Sequence, residues 1–322
     1  GSGKTTLCRF AAVILAGEGP QGVLGGEDLP EVPPGLLPLF LPFREYVSFR
    51  RKAKECSLLD FLLDQARNHL QLHGVTEDFL SGAMESGQAV LLLDGLDEVG
   101  SAQERADLQD KVLAFLSQYR RLPVLLSSRI AGYKEAPLPG AGDAGSSDGF
   151  VHFQLEPFSD DDLDAFVQHW YEVQEADDAK ARTDGIRDLT SALKASPNLR
   201  ELARNPMLAT LIALVHRYEA HLPGERAKLY ELCIKTLLET WPAVTKRRFE
   251  EIDTAVQRVF LEALAYRMQS QRKNRSRDVV LERKALVETL AEFALEREPK
   301  ADPAVEAARM ERWVAYLEQG TG

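Results

Sequence analysis

Two groups of residues in this chain are spaced for phosphate and metal chemistry. At the start, GSGKTT sets Gly3, Lys4 and Thr5 at the last three positions of the pattern G-x-x-x-x-G-K-[ST]. In that pattern backbone amides cradle phosphates, the lysine reaches the terminal phosphates and the Ser/Thr hydroxyl ligates magnesium. Gly1, Ser2 and Thr6 make up the rest of the stretch, and the leading glycine of the pattern would precede Gly1. The second group lies in AVLLLDGLDEV, residues 89–99. Its five unbroken apolar residues read as a buried strand of a parallel sheet, and Asp94 stands at the carboxyl end, where open α/β sheets hold their ligands. A carboxylate at that place is suited to a hard divalent cation. Asp97 and Glu98 follow at once.

Elements with the right order must position these groups. TTLCRFAAVILAG places Leu7, Phe10, Ala11, Ile14 and Leu15 on one helical face and closes with Gly17, the helix expected after a phosphate loop rather than after a mere polar cap. LLPLFLPF, residues 36–43, carries Pro38 and Pro42 and so reads as an edge or irregular strand, with Arg44 and Glu45 after its end. Ser57 caps an amphipathic helix to Leu72 that buries Leu58, Phe61, Leu62, Ala66 and Leu70, and a short helix follows over 75–84. Helical spacing of Leu108, Val112 and Phe115 predicts a helix over 102–119, broken before Pro123. VLLSSR from Val124 then reads as a second buried strand ending in Ser127, Ser128 and Arg129, and FVHFQL, residues 150–155, as a strand with one face less buried. Ser159 caps a helix whose first turn holds Asp160, Asp161 and Asp162, as the helix dipole favours. Helices are expected over 184–194, 199–204, 206–218, 225–241, 250–269, 279–297 and 303–318, with no further strand. Gly- and Pro-rich stretches over 17–34 and 136–149, and the basic QRKNRSRD over 271–278, read as loops.

Composition limits the partners. A net charge of −11 over 322 residues opposes non-specific binding to nucleic acid or to an anionic membrane. No apolar run reaches the roughly eighteen residues that cross a bilayer. Cys8, Cys56 and Cys233 are odd in number and far apart, which suits buried reduced thiols of a cytoplasmic protein.

With these motifs in place, the chain resembles the NACHT family of signal-transducing (STAND) P-loop NTPases, relatives of AAA+ ATPases that switch between a closed nucleotide-bound monomer and an open oligomer. LLLDGLDEV carries the resemblance most specifically, since Asp94, Gly95, Asp97 and Glu98 match a pattern of a small residue after the first aspartate and an acidic pair beyond it. LLSSR, LPLFLPFRE, QLEPFSDDDLDAFVQHWY, NPMLATLIAL and ERAKLYELCIKTLLETW match further family segments. The resemblance implies an α/β P-loop core over 1–157, a helical lid over 158–245 and the start of a winged-helix module over 246–322. It implies ATP or ADP as ligand, held by Gly1, Ser2, Gly3, Lys4, Thr5 and Thr6, with Mg2+ at Thr5 and Asp94. Asp97 and Glu98 would orient or activate water, Arg129 would sense the terminal phosphate, and Pro206 would contact the base. The residues alone also allow a helix-capping acidic pair at 97–98, an ordinary ion pair at Arg129 and a first-turn proline at Pro206. The family's histidine late in the winged helix has no counterpart in His152, His169, His216 or His221.

The function so implied is a slowly hydrolysing ATP switch that controls self-association in immune, antiphage or cell-death signalling, with effector and sensor partners unspecified. Two other classes compete: an AAA+ type motor acting on nucleic acid or protein, which would want a positive channel against the charge seen here, and a nucleotide-binding scaffold that does not hydrolyse.

Overall fold

The computed structural model describes residues 3–17, 35–52, 56–99, 102–133, 137–138, 149–218, 222, 226–240, 249–270, 281 and 283–320. Gly1, Ser2, His221, nearly all of the loops expected over 17–34 and 136–149, and the basic segment 271–278 lie outside the described residues. The chain divides into two compact units, the first spanning 3–154 and the second beginning at Leu155.

In the first unit three parallel strands are ordered β1 (Leu37–Pro42), β2 (Ala89–Asp94), β3 (Val124–Leu126). All six residues of β2 are buried, as the middle strand of a covered parallel sheet requires. β1 lies at an edge of the three, where its two prolines cost no central ladder bond. The register pairs Pro42 with Asp94 and Leu93 with Leu126, so all three strands end at one level. That common end is where the chemistry-bearing residues emerge.

The helices supply the layers. α1 (Lys4–Leu15) leads; α2 (Phe43–Lys52), α3 (Leu58–Asp64) and α4 (Glu77–Ser86) lie between β1 and β2, and α5 (Ala102–Gln118) joins β2 to β3. Ser57 caps α3 through a reciprocal box with Asp60: its hydroxyl accepts from the Asp60 amide at 3.1 Å, and Asp60 accepts from the Ser57 amide at 2.8 Å. Leu41, Phe43, Tyr46, Phe61, Leu91, Leu93, Leu96 and Leu108 form the centre of the resulting core. A short α6 (Ile130–Tyr133) follows β3.

Four expectations fail here. Leu7 is 41% exposed, and the residue that anchors α1 is Cys8, at 1%. Leu70 is 66% exposed because the helix widens into a π turn over Gln65–His69, closed by Leu70 N–H to the Gln65 carbonyl at 2.9 Å. The wider turn rotates later residues off the buried face. β3 is only three residues long and partly buried. The segment 150–155 is not a strand: Phe150 makes an isolated bridge, residues 151–155 have no ladder, and Phe153 is 91% exposed. Alternating apolar residues need a neighbouring strand to be covered, and the described sheet takes up none there.

The second unit is helical: α7 (Asp160–Gln174), α8 (Ala179–Ala195), α9 (Pro197–Ala203), α10 (Pro206–Tyr218), α11 (Arg226–Lys235, running into a π turn over Thr236–Thr240), α12 (Thr254–Ser270), α13 (Arg283–Arg297) and α14 (Pro303–Gly320). Ser159 caps α7 through a second reciprocal box, with Asp162. Two clusters of buried residues hold the unit, one around Leu163, Tyr171, Leu189 and Ile212, the other around Phe260, Leu290, Met310 and Trp313. Trp313 is wholly buried and its indole N–H donates to Gln257 at 3.2 Å, while the Gln257 amide donates to the Ile252 carbonyl at 2.7 Å.

Candidate functional site

Gly3, with φ of 81°, caps α1, and Lys4 and Thr5 are its first residues. Thr5 is half-buried and Thr6 exposed. One turn on, Cys8 is buried where α1 packs on β2, within electrostatic reach of Asp94; burial foremost, then the Asp94 charge, pushes its thiol up to about 11. α1 is thereby tied to the end of β2.

At that end Asp94 is buried at 7% and accepts from the Ser127 hydroxyl at 2.5 Å. Gly95 turns the chain with φ of 78°, and Leu96–Glu98 form a single 3-10 turn. The turn brings Asp97 against the exit of β3, where Asp97 Oδ1 accepts from the Arg129 amide at 2.8 Å and Oδ2 lies 3.2 Å from Arg129 Nε. Asp97 is thus engaged by the residue it was expected to work beside. Glu98 folds back over Gly95, so a Cβ at position 95 would come within 3.1 Å of Glu98 Cδ. Burial, then the charges of Asp97 and Asp94, raise the proton affinity of Glu98 above the ordinary carboxylate range, and Arg44 and Arg129 pull it back.

Asp94, Asp97, Glu98 and Arg129 are therefore brought together at the ends of two neighbouring strands, with α1 anchored to the first of them. Pro206 lies in the second unit as the first residue of α10, where the Asn205 side chain accepts from the Met207 amide at 3.0 Å. No group of three or more His, Cys, Asp or Glu side chains among the described residues forms an all-protein metal cage. Magnesium needs none, being held by one or two carboxylates together with phosphate oxygens and water. Glu98 lies within electrostatic reach of both Asp94 and Asp97, so carboxylates gather at this strand end.

Two contributors escaped the sequence reading. Ser127 was visible only as a strand terminus, although parallel pairing of β2 with β3 makes contact between their ends predictable. Arg44, two residues past β1, acts on Glu98 across the same level of the sheet. A cleft of about 520 Å³ in the second unit, lined by Leu222, Lys228, Glu231 and Arg258 among others, contains none of these groups.

A parallel sheet whose middle strand ends in aspartate, reached by a helix that opens with Gly-Lys-Thr, defines a P-loop NTPase. The model of the NACHT domain matches residues 1–174, more than half of the chain. The chain belongs to the NACHT family, P-loop NTPases of the STAND type, with an α/β P-loop fold followed by a helical region. No curated protein matches it significantly. No helix among the described residues is long and apolar enough to cross a membrane.

Proposed function

We propose that this protein is a cytoplasmic regulatory switch that binds ATP with Mg2+, hydrolyses it slowly and thereby controls its own self-association in defence or cell-death signalling. The observation that carries the reading is the meeting of Asp94, Asp97, Glu98 and Arg129 at adjoining strand ends, with α1 anchored there through Cys8. Residues 1–6 cradle the phosphates, and Thr5 and Asp94 hold the cation, which neutralises charge that develops on the phosphoryl oxygens. Glu98, whose proton affinity is raised by burial and by the neighbouring carboxylates, takes the proton of the attacking water, and Asp97 holds Arg129. Because Arg129 is paired with Asp97, a terminal phosphate competes for its guanidinium, a step suited to sensing rather than to fast turnover. Residues 1–157 are the nucleotide core, 158–245 the helical lid domain, and 246–322 the start of the winged helix.

In the full-length protein, nucleotide binding and multiple-turnover hydrolysis are compared for wild type, Lys4→Ala and Glu98→Gln. Magnesium-dependent binding is lost in the first variant, and hydrolysis is lost with binding retained in the second. Light scattering with ATP and with ADP reads the self-association. If both variants match wild type, the nucleotide site is vestigial. A second reading, a scaffold that binds nucleotide without hydrolysis, is favoured by the pairing of Arg129 with Asp97, and wild-type behaviour of Glu98→Gln alone would select it.

A further inference from the structure

Ser127 uses every polar atom it has on the neighbouring strand end. Its amide donates to the Leu93 carbonyl at 2.8 Å and its own carbonyl accepts from the Leu96 amide at 3.1 Å. Those two bonds carry the β2–β3 pairing past the last strand residue, and any residue type but proline would make them. The side chain does something separate. Its hydroxyl donates to Asp94 Oδ1 at 2.5 Å and accepts from the Gly95 amide at 3.0 Å. A hydroxyl has one proton, and the bond it accepts from Gly95 orients that proton toward the carboxylate. The residue is buried at 8%, so solvent does not compete for either bond. The buried Cys8 thiol of α1 lies within electrostatic reach of the same carboxylate. Asp94 is therefore held by a side chain from the exit of β3, an element other than its own.

We propose that Ser127 is the positioning residue for Asp94: it fixes one carboxylate oxygen and so sets the rotamer in which Asp94 meets a divalent cation. The inference rests on the reading of Asp94 as a magnesium residue. Partners that orient a metal-binding carboxylate in this way typically cost ~10–100-fold in metal affinity when removed. A purely structural serine would cost stability and leave the metal dependence alone.

The test is ADP binding by calorimetry to the full-length protein across a magnesium series and in EDTA, with thermal unfolding in EDTA alongside. Ser127→Ala is expected to raise the magnesium midpoint by about 10-fold or more while leaving metal-free ADP affinity unchanged, and Ser127→Thr, which keeps the hydroxyl, to restore it. Should Ser127→Ala fail to fold, Ser127→Cys, close in size and a poor donor, is expected to shift the midpoint in the same direction. A folded Ala or Cys variant with the wild-type midpoint overturns the inference, as does an equal loss of affinity in EDTA. Lys4→Ala separates the levels. If it abolishes binding and Ser127→Ala changes nothing, only the role of Ser127 falls; if wild type shows no magnesium-dependent binding, the site reading falls with it.

Discussion

At the scale of single residues, the turn Asp94–Glu98 decides the chemistry. Gly95 adopts a positive φ and lies under the Glu98 side chain, so a methyl there meets both backbone strain and a close contact at 3.1 Å. Gly95→Ala is expected to cost about 1–2 kcal/mol in urea unfolding and to lower hydrolysis further by displacing Glu98. Glu98 binds its proton more tightly than an ordinary carboxylate, so a reaction that needs it ionised slows as pH falls through that raised value. Asp97→Asn removes one of the charges that raise it and should move this acidic limb to lower pH in a pH–rate profile. His216 shows the opposite shift. Burial lowers its proton affinity below the ordinary value of 6.5, against a smaller opposing effect of Asp188, and its Nδ1 lies 2.6 Å from the Tyr171 hydroxyl. The unfolded chain takes up that proton first. Its contribution to stability is therefore complete above pH 6.5 and is lost as pH falls below it. Urea midpoints should drop on acidification, and less so in His216→Gln.

At the scale of elements, helix ends and close contacts were unequally visible. The caps at Ser57 and Ser159 could be read directly, because a cap is satisfied within three residues of itself, and the structure adds the reciprocal bonds of Asp60 and Asp162. Ser159→Ala should cost about 1 kcal/mol in chemical denaturation. The π turn after α3 could not be read, since nothing in QARNH marks a change of helical period, and Leu70 was assigned to the wrong face in consequence. Nor was the contact between α7 and α8 visible: a Cβ at Gly185 would come within 2.6 Å of Tyr171 Cδ1. Gly185→Ala must push the buried ring aside, at a cost of about 1–3 kcal/mol by overpacking, measurable as a lowered urea midpoint.

At the scale of the molecule, the core built on the sheet draws on residues from Leu37 to Tyr133, and both helical clusters on residues from Phe158 to Leu317. Among the described residues, each cluster is thus built from residues of one unit. Residues 155–322 expressed alone should show helical circular dichroism and a cooperative urea transition, which Trp313→Ala would shift by about 3–5 kcal/mol. A fragment that stayed unfolded would show that its clusters depend on the rest of the chain.

What the amino-acid order determined by itself was whatever depends on neighbours along the chain: the buried run ending at Asp94, the Gly-Lys-Thr phosphate-loop residues with their helix, the caps, and hence the family. Tertiary structure decided whatever depends on partners distant in sequence. It tied Asp97 to Arg129, set Ser127 on Asp94 and Cys8 within electrostatic reach of it, and left residues 151–155 without a ladder. The physical reason is range: periodicity and capping report forces over a few residues, whereas the direction of a buried carboxylate is set by whichever donors the fold carries to it.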